Sequence, residues 1–270
     1  MTRNEVTQKV HAILGGRNVI CRGHYVFAKK PEGWFHGDQY INKDAIYPYH
    51  GNVKELCGYM AYASSDLGIE VVVGPTVGGV SLSQWTAYGL EVERPHQKVL
   101  SVYADEEPVI EEVFFSFAEL DNVVENLVSS GSLSRTLADA YGKIIISSER
   151  GGIIIPIKVE TRRVLKRGYD QLVRGKRCLI TEDIRNSGAT IRKTRKAIEE
   201  AGGEVVHAIA LCDRSGGSDE CQALYTTKME MYPEDSCPFC AMNGMESVDQ
   251  TLGKGKEFLI RKGLSQFLKH

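Results

Sequence analysis

The stretch CLITEDIRNSGAT, residues 178–190, decides how this chain is read. It opens on the apolar run Cys178-Leu179-Ile180 and reaches two adjacent acids, Glu182 and Asp183. It closes in a polar loop, Ile184-Arg185-Asn186-Ser187-Gly188-Ala189-Thr190, and the basic helical segment IRKTRKAIEEAGG follows. That order places the loop at the carboxyl end of a strand, where open α/β sheets bind ligands. The start of the helix presents unpaired N–H groups and the positive end of its dipole, which suits a phosphate. Gly188 lets the backbone approach the anion, and Ser187 and Thr190 add hydroxyl donors. Glu182 and Asp183 would repel a phosphate, so they suit hydroxyls or a metal ion on the same ligand. Ribose 5-phosphate carries both a phosphate and vicinal hydroxyls. An isolated acid pair would read as a solvated strand end; the elements around this one favour a site.

Outward from this stretch, strands alternate with helices. Residues 3–14 read as an amphipathic helix, NVICRGHYVFA as a strand, and KKPEGWFHGDQY as a loop. Residues 52–66 read as a helix. GIEVVVGPTVGGVSLSQWTAYGLE gives strand, glycine-rich turn and helix, and KVLSVYA (98–104) is a further strand. RCLITEDI, a helix over 189–201 ended by Gly202-Gly203, and the strand EVVHAIALCD (204–213) complete a second β-loop-α-β unit. The alternation predicts an α/β fold with a mostly parallel sheet flanked by helices. No Walker A loop and no G-x-G-x-x-G fingerprint is present.

The bulk numbers fit one core domain with an insertion and a tail. The chain has 270 residues, 42% hydrophobic and 25% charged, with a net charge of −2. So balanced a charge argues against nucleic acid as a partner. No apolar run reaches the roughly 20 residues of a bilayer span, and no signal-peptide core is seen, so no membrane partner and a cytoplasmic location are expected.

Two charge runs break the pattern. Val99 to Ser134 contains no Lys or Arg but accumulates Asp105, Glu106, Glu107, Glu111, Glu112, Glu119, Asp121 and Glu125. Within it, FFSFAELDNVVENLV (114–128) reads as a helix. The segment 158–177 is basic, with Lys158, Arg162, Arg163, Lys166, Arg167, Arg174, Lys176 and Arg177 against Glu160 and Asp170. A solvated surface is the plain reading of such a run, but this one leads into the CLITEDIRNSGAT motif.

CLITEDIRNSGAT resembles the phosphoribosyl pyrophosphate motif of the type I phosphoribosyltransferases, and other segments narrow the likeness to the orotate phosphoribosyltransferases. HYVFAKKPEGWFHGDQYINKDAIYP is similar to that family's substrate segment, VVVGPTVGGVSL to its pyrophosphate-facing loop, VLKRGYDQLVRGKRCLITEDI to the approach from its mobile loop, and ALCDR to the strand whose Arg meets the pyrimidine. The loop here carries Arg185-Asn186-Ser187 where the family shows an apolar residue and two threonines. The resemblance implies a type I phosphoribosyltransferase-like fold, with a hood-like segment at 1–50, a core at 51–214 interrupted by an insertion near 107–157, and an extension at 215–270.

The same resemblance implies transfer of a phosphoribosyl group from phosphoribosyl pyrophosphate to a base, orotate first, with Mg2+ and in a homodimer. Glu182 and Asp183 would hold the ribose hydroxyls and Asn186 to Thr190 the 5-phosphate. Thr76, Val77, Gly78 and Gly79 would approach the pyrophosphate. Arg214 would pair with a substrate carboxylate, while His36, Tyr40, Lys43 and Asn186 would line the base side. Lys166 and Arg167, or Arg162 and Arg163, would neutralise the departing pyrophosphate. The strand exit ADEEP has the wrong sign for that clamp, so the later basic run or a partner subunit is expected to supply it. The alternatives are another base, or a non-catalytic regulator that binds the same donor.

Seven cysteines in a chain without a signal point to thiols or a metal rather than disulfides. CPFC (237–240) has zinc-ligand spacing. Cys237 and Cys240 supply two ligands of the four a structural zinc needs, with Cys212 and Cys221 as candidates for the rest. His24, His50, His96 and His207 read as structural, Cys57 and Cys178 as core, and Trp34 and Phe35 as core or substrate wall. The tail 248–270 reads as a final packing helix.

Overall fold

The computed structural model describes residues 3–27, 33–116, 145–147 and 152–269. Two sheets are present. The larger has strand order β5-β6-β4-β3-β7-β8-β9, where β3 is Val71–Pro75, β4 Leu100–Ser116, β5 Ile145–Ser147, β6 Gly152–Val164, β7 Arg177–Arg185, β8 Glu204–Asp213 and β9 Gln222–Thr226. From β4 to β9 neighbouring strands run parallel, and β6 and β5 add antiparallel at one edge. The smaller sheet joins β1 (Ile20–Val26), β2 (Phe35–Ile41) and β10 (Tyr232–Pro233). The expected α/β architecture is therefore the observed one.

Alternation along β3 shows why the sheet is covered on both faces. Val72 joins one core, with Leu179 and Ile209, under α1 (Arg3–Gly16), α2 (His50–Ala63) and α3 (Gly78–Glu93). Val71 and Val73 join the other, with Ile180 and Ala208, under α4 (Tyr169–Val173) and α5 (Ala189–Glu200). Side chains of a strand alternate between faces, so an unbroken valine run needs helices on both sides. α2 buries Val53, Leu56, Cys57 and Met60, one stripe of a 3.6-residue repeat. α5 ends at Gly202 in the left-handed region (φ 84°), and Gly203 N–H returns to Ile198 O at 2.9 Å.

Three expectations need correction. KKPEGWFHGDQY is not all loop: Phe35–Ile41 is β2, in antiparallel register with β1. Pro31 and Gly33 dominate the reading by composition, but the β-forming Phe35, Tyr40 and Ile41 find a ladder partner, which propensity alone does not see. The strand expected at 98–104 continues to Ser116 because Glu106 and Glu107 stand opposite Arg163 and Arg162 of β6. Opposite charges across strands stabilise a ribbon that an isolated acidic run would not form. Of the helix expected over 114–128, residues 114–116 belong to β4, and the remainder lies outside the described residues. The tail does form a helix, α7 (Gly255–Arg261), whose Phe258 packs edge-on against Trp34. Trp34 is thus a core aromatic. Among the described residues no helix is long and apolar enough to cross a membrane.

Candidate functional site

The carboxyl ends of β3, β7 and β8 converge on the sequence motif. β7 carries Glu182 and Asp183 to its end, both buried. The turn after β3, Thr76 to Gly79, lies directly against them. A Cβ on Gly78 would sit 1.7 Å from Asp183 Oδ2, so only glycine allows this approach. Tyr47 OH donates to Gly78 O at 3.0 Å and to Asp183 Oδ2 at 3.3 Å. Lys43 Nζ donates to the same oxygen at 2.6 Å. The proposed pyrophosphate loop and the proposed ribose acid are therefore in contact, and Lys43 lies on the acid. Burial lowers the Lys43 pKa, but the hydrogen bond and charge of Asp183 outweigh it and the net shift is upward.

Glu182 behaves differently from its neighbour. Its Oε1 accepts the Asp183 N–H at 3.1 Å, while Oε2 is buried with no partner among the described residues. Burial, and then the charge of Asp183, raise its carboxyl well above the usual range. A buried carboxylate oxygen without a donor is costly unless a ligand supplies one.

Beyond the acids, residues 184–191 enclose a small pocket at the start of α5, lined by Ile184, Arg185, Asn186, Ser187, Gly188, Ala189 and Thr190. Gly188 sits at φ 75°, a conformation that glycine adopts at no steric cost. Arg185 is held by Asp213 (Nη1 to Oδ2, 3.1 Å) and Ser215, yet its Nε–H is buried and has no partner among the described residues. That nitrogen lies 3.4 Å from where a Gly188 Cβ would be. A free guanidinium donor and the first N–H groups of a helix thus face the same small space, an arrangement suited to an anion.

Beside this pocket opens a larger one of about 490 Å³, lined by Phe27, Asn186, Ser187, Arg214, Ser215, Lys228, Met229 and Met231. Arg214 Nε donates to Asn186 Oδ1, which orients both side chains. Burial lowers the Arg214 pKa. Lys228 and the two methionines escaped the sequence reading, and Phe27 was not singled out although it lies in the substrate-like segment HYVFAKKPEGWFHGDQYINKDAIYP. Phe27 reaches the cavity from the end of β1, and the other three from the segment after β9, where no local motif marks them. Tyr40 packs on Tyr25, ring centroids 5.5 Å apart, and is not among the lining residues. His36 lies elsewhere, fully buried and 2.9 Å from His24.

The four basic residues expected to clamp pyrophosphate are all ion-paired. Arg162 and Lys166 meet Glu107 at 3.4 and 2.6 Å, Arg163 meets Glu106 at 3.1 Å, and Arg167 meets Asp105. The acidic residues within β4 and the basic run on and after β6 neutralise one another. Arg163 has a second role. Its buried Nη1 donates to Thr76 O and Thr76 Oγ1, each at 3.1 Å, and so braces the β3 turn.

Cys212 and Cys221 do not complete a site with Cys237 and Cys240. Each is buried in one of the two sheet cores. Their strand positions turn them into the apolar layers, a fate sequence spacing cannot reveal. Cys237 and Cys240 meet His24 and His36 instead.

Against known proteins, the phosphoribosyl transferase domain family matches residues 155–230. The chain is similar to the orotate phosphoribosyltransferase of Pelotomaculum thermopropionicum, 25% identical over 247 residues, covering 89% of this chain and 93% of that one. It is 31% identical over 133 residues to that of Thermus thermophilus, covering 47% of this chain and 67% of the relative. The solved orotate phosphoribosyltransferase of Mycobacterium tuberculosis H37Rv matches 83% of this chain and 95% of its own, at 15% identity and a TM-score of 0.45.

Proposed function

The chain belongs to the phosphoribosyltransferase family, and on that premise we propose that it transfers the phosphoribosyl group of phosphoribosyl pyrophosphate to orotate, releasing pyrophosphate. The observation that carries the choice of base is the 490 Å³ cavity beside the motif. It offers an aromatic and thioether wall with two cations, Arg214 and Lys228. Orotate is a flat ring bearing a carboxylate, so the ring packs on Phe27 and the carboxylate meets the cations.

On this reading the donor's 5-phosphate sits in the pocket at the start of α5, held by backbone N–H groups, Ser187, Thr190 and the free Arg185 Nε–H. Glu182 and Asp183 accept the ribose hydroxyls. The Thr76–Gly79 turn faces the pyrophosphate. The base nitrogen forms the bond to ribose C1 as the C1–O bond breaks, the electron pair leaves with pyrophosphate, and the proton lost from the base nitrogen passes to the pyrophosphate or to solvent. Such a reaction rests on positioning and on charge stabilisation of the leaving group.

Mg2+ fits the donor set. Glu182 Oε2 is an unpartnered buried oxygen, and Mg2+ takes one or two carboxylates while leaving most of its shell to water and substrate phosphates. When bound there with the donor, it would neutralise charge growing on the pyrophosphate. With the local basic run engaged by Asp105, Glu106 and Glu107, further cations for the leaving group are assigned to the second subunit of a cytoplasmic homodimer.

The same engagement of all four cations favours one rival, a regulator that binds the donor without turning it over. Pyrophosphate release by the purified protein, with Mg2+ and a panel of orotate, uracil, adenine and guanine, separates the readings. Orotate alone is expected to give release. Donor binding by calorimetry without release from any base selects the regulator, and release with a purine reassigns the acceptor.

A further inference from the structure

Four side chains far apart in sequence meet under the small sheet: His24 on β1, His36 on β2, and Cys237 and Cys240 at the start of α6 (Pro238–Asn243). We infer that they form a structural zinc site that pins the C-terminal extension to the β1–β2 hairpin. This inference does not depend on the identity of the transferred base.

Three of the ligand–ligand distances match those around a tetrahedral ion. His24 Nε2 lies 3.5 Å from Cys237 Sγ and 3.6 Å from Cys240 Sγ, and His36 Nδ1 lies 3.3 Å from Cys240 Sγ. Bonds of about 2.0–2.1 Å to nitrogen and about 2.3 Å to sulfur imply ligand separations of roughly 3.3–3.8 Å around one ion. The two ring nitrogens, 2.9 Å apart, need to open by only a few tenths of an ångström to reach that range. All four ligand atoms lie within 4.8 Å of one another.

A hydrogen bond orients His24, whereas His36 Nε2 is buried and has no partner among the described residues. Ser247 Oγ donates to Gly244 O at 2.7 Å, so it accepts the proton of His24 Nδ1, also at 2.7 Å. That fixes the tautomer and leaves the His24 Nε2 lone pair facing the cluster, as in metal-bound histidines. His24, His36 and Cys237 are buried, and Cys240 is half-buried at the rim, where an ion can enter. Phe239 flanks the His24 ring and Phe258 meets the His36 ring edge-on, giving a dry shell. No substrate role accounts for the cluster, since none of the four lines the cavity at Arg214 or the pocket at Gly188. Next to the cluster the hairpin and the extension share a small apolar core, Val26 and Trp34 with Val248, Phe258 and Leu259, together with the short β10 pairing with β2, a hydrogen bond from Asp249 N–H to His24 O at 2.6 Å, and the Lys262–Glu234 pair. An ion held by both partners adds a cross-link beside that small core.

The test uses the full-length protein. Elemental analysis after gel filtration is expected to find about one zinc per chain. Cobalt(II) exchanged for the zinc is expected to give the strong d–d bands of a tetrahedral site and a thiolate-to-cobalt charge-transfer band. Chelation should make residues beyond 232 readily cleaved by trypsin while circular dichroism of the α/β core persists. Cys240→Ser should lower zinc retention by at least about tenfold, in line with loss of a ligand. Absence of zinc with both thiols free, a Cys237–Cys240 disulfide in the mass spectrum, or zinc retained unchanged in both Cys240→Ser and His36→Ala would each overturn the site. The cobalt spectrum of the unmutated chain decides the matter even if a variant does not fold.

Discussion

Two acidic clusters in this chain look alike as text and have opposite fates. Asp105, Glu106 and Glu107 within β4 each find a cation on or just after β6, at least half-open to solvent on one side of most pairs. Glu182 and Asp183 at the end of β7 are buried, and Glu182 keeps one oxygen without a partner among the described residues. The first cluster is satisfied, and its hydrogen bond from Lys166, with the charges of Lys166 and Arg162, lowers the Glu107 pKa. In the second, Asp183 is paired with Lys43 and Tyr47 while Glu182 is left unsatisfied, and burial raises the Glu182 pKa. An acid whose environment leaves it wanting a partner is the better ligand-binding candidate, because bound donors or cations relieve a cost already present in the empty fold.

The comparison breaks first at Asp183. Asp183→Asn should reduce kcat/KM by on the order of 10²-fold through weaker donor binding, since it removes one preorganised charge beside the Gly78 turn. Steady-state kinetics with varied donor checks this, and an unaffected variant removes the ribose role. Next in size, Arg214→Ala should raise the acceptor KM by about 10- to 100-fold, the worth of one charged hydrogen bond, with little change in the donor KM. Equal effects on both would detach the cavity from the base.

The pH dependence sharpens the contrast. For Glu182 the folded pKa is raised, so the neutral acid is favoured by folding. Its contribution to stability is full below the ordinary carboxylate pKa and is lost as pH rises through the folded value. Binding of donor with Mg2+ uses the ionised group, so affinity should strengthen as pH climbs from the ordinary carboxylate range toward that raised value. Calorimetric titration across this range should show a steeper slope in the native chain than in Glu182→Gln, where only the donor's phosphates still titrate. The smallest effect belongs to the satisfied cluster. Glu107→Gln should cost no more than about 1 kcal/mol in thermal or denaturant unfolding, as expected of exposed ion pairs. A larger loss would mean the β4–β6 ribbon depends on its charges.

Much of the fold was legible because it is local. The valine run of β3, the period of α5 and the Gly202-Gly203 stop are short-range signals, and β8 falls on the residues expected of it. The acid pair, the glycine loop and the start of α5 were legible for the same reason: strand, turn and helix follow one another in one stretch. What the linear order concealed was every relation between distant segments. Phe27 and Lys228 share a cavity, Arg163 braces Thr76, and the basic run cancels the acidic one, yet no spacing announces any of these.

His24 shows the division most plainly. Read along the chain it is a strand histidine without a pattern, and Cys237 and Cys240 are half a site. The sequence by itself determined the α/β order and the phosphate-suited turn, since backbone geometry and side-chain periodicity act over a few residues. Only the tertiary structure decided which charges are spent on each other, which acid is left unsatisfied, and which imidazoles face the two thiols. Those outcomes depend on burial and on distances of a few ångströms between residues up to 216 positions apart.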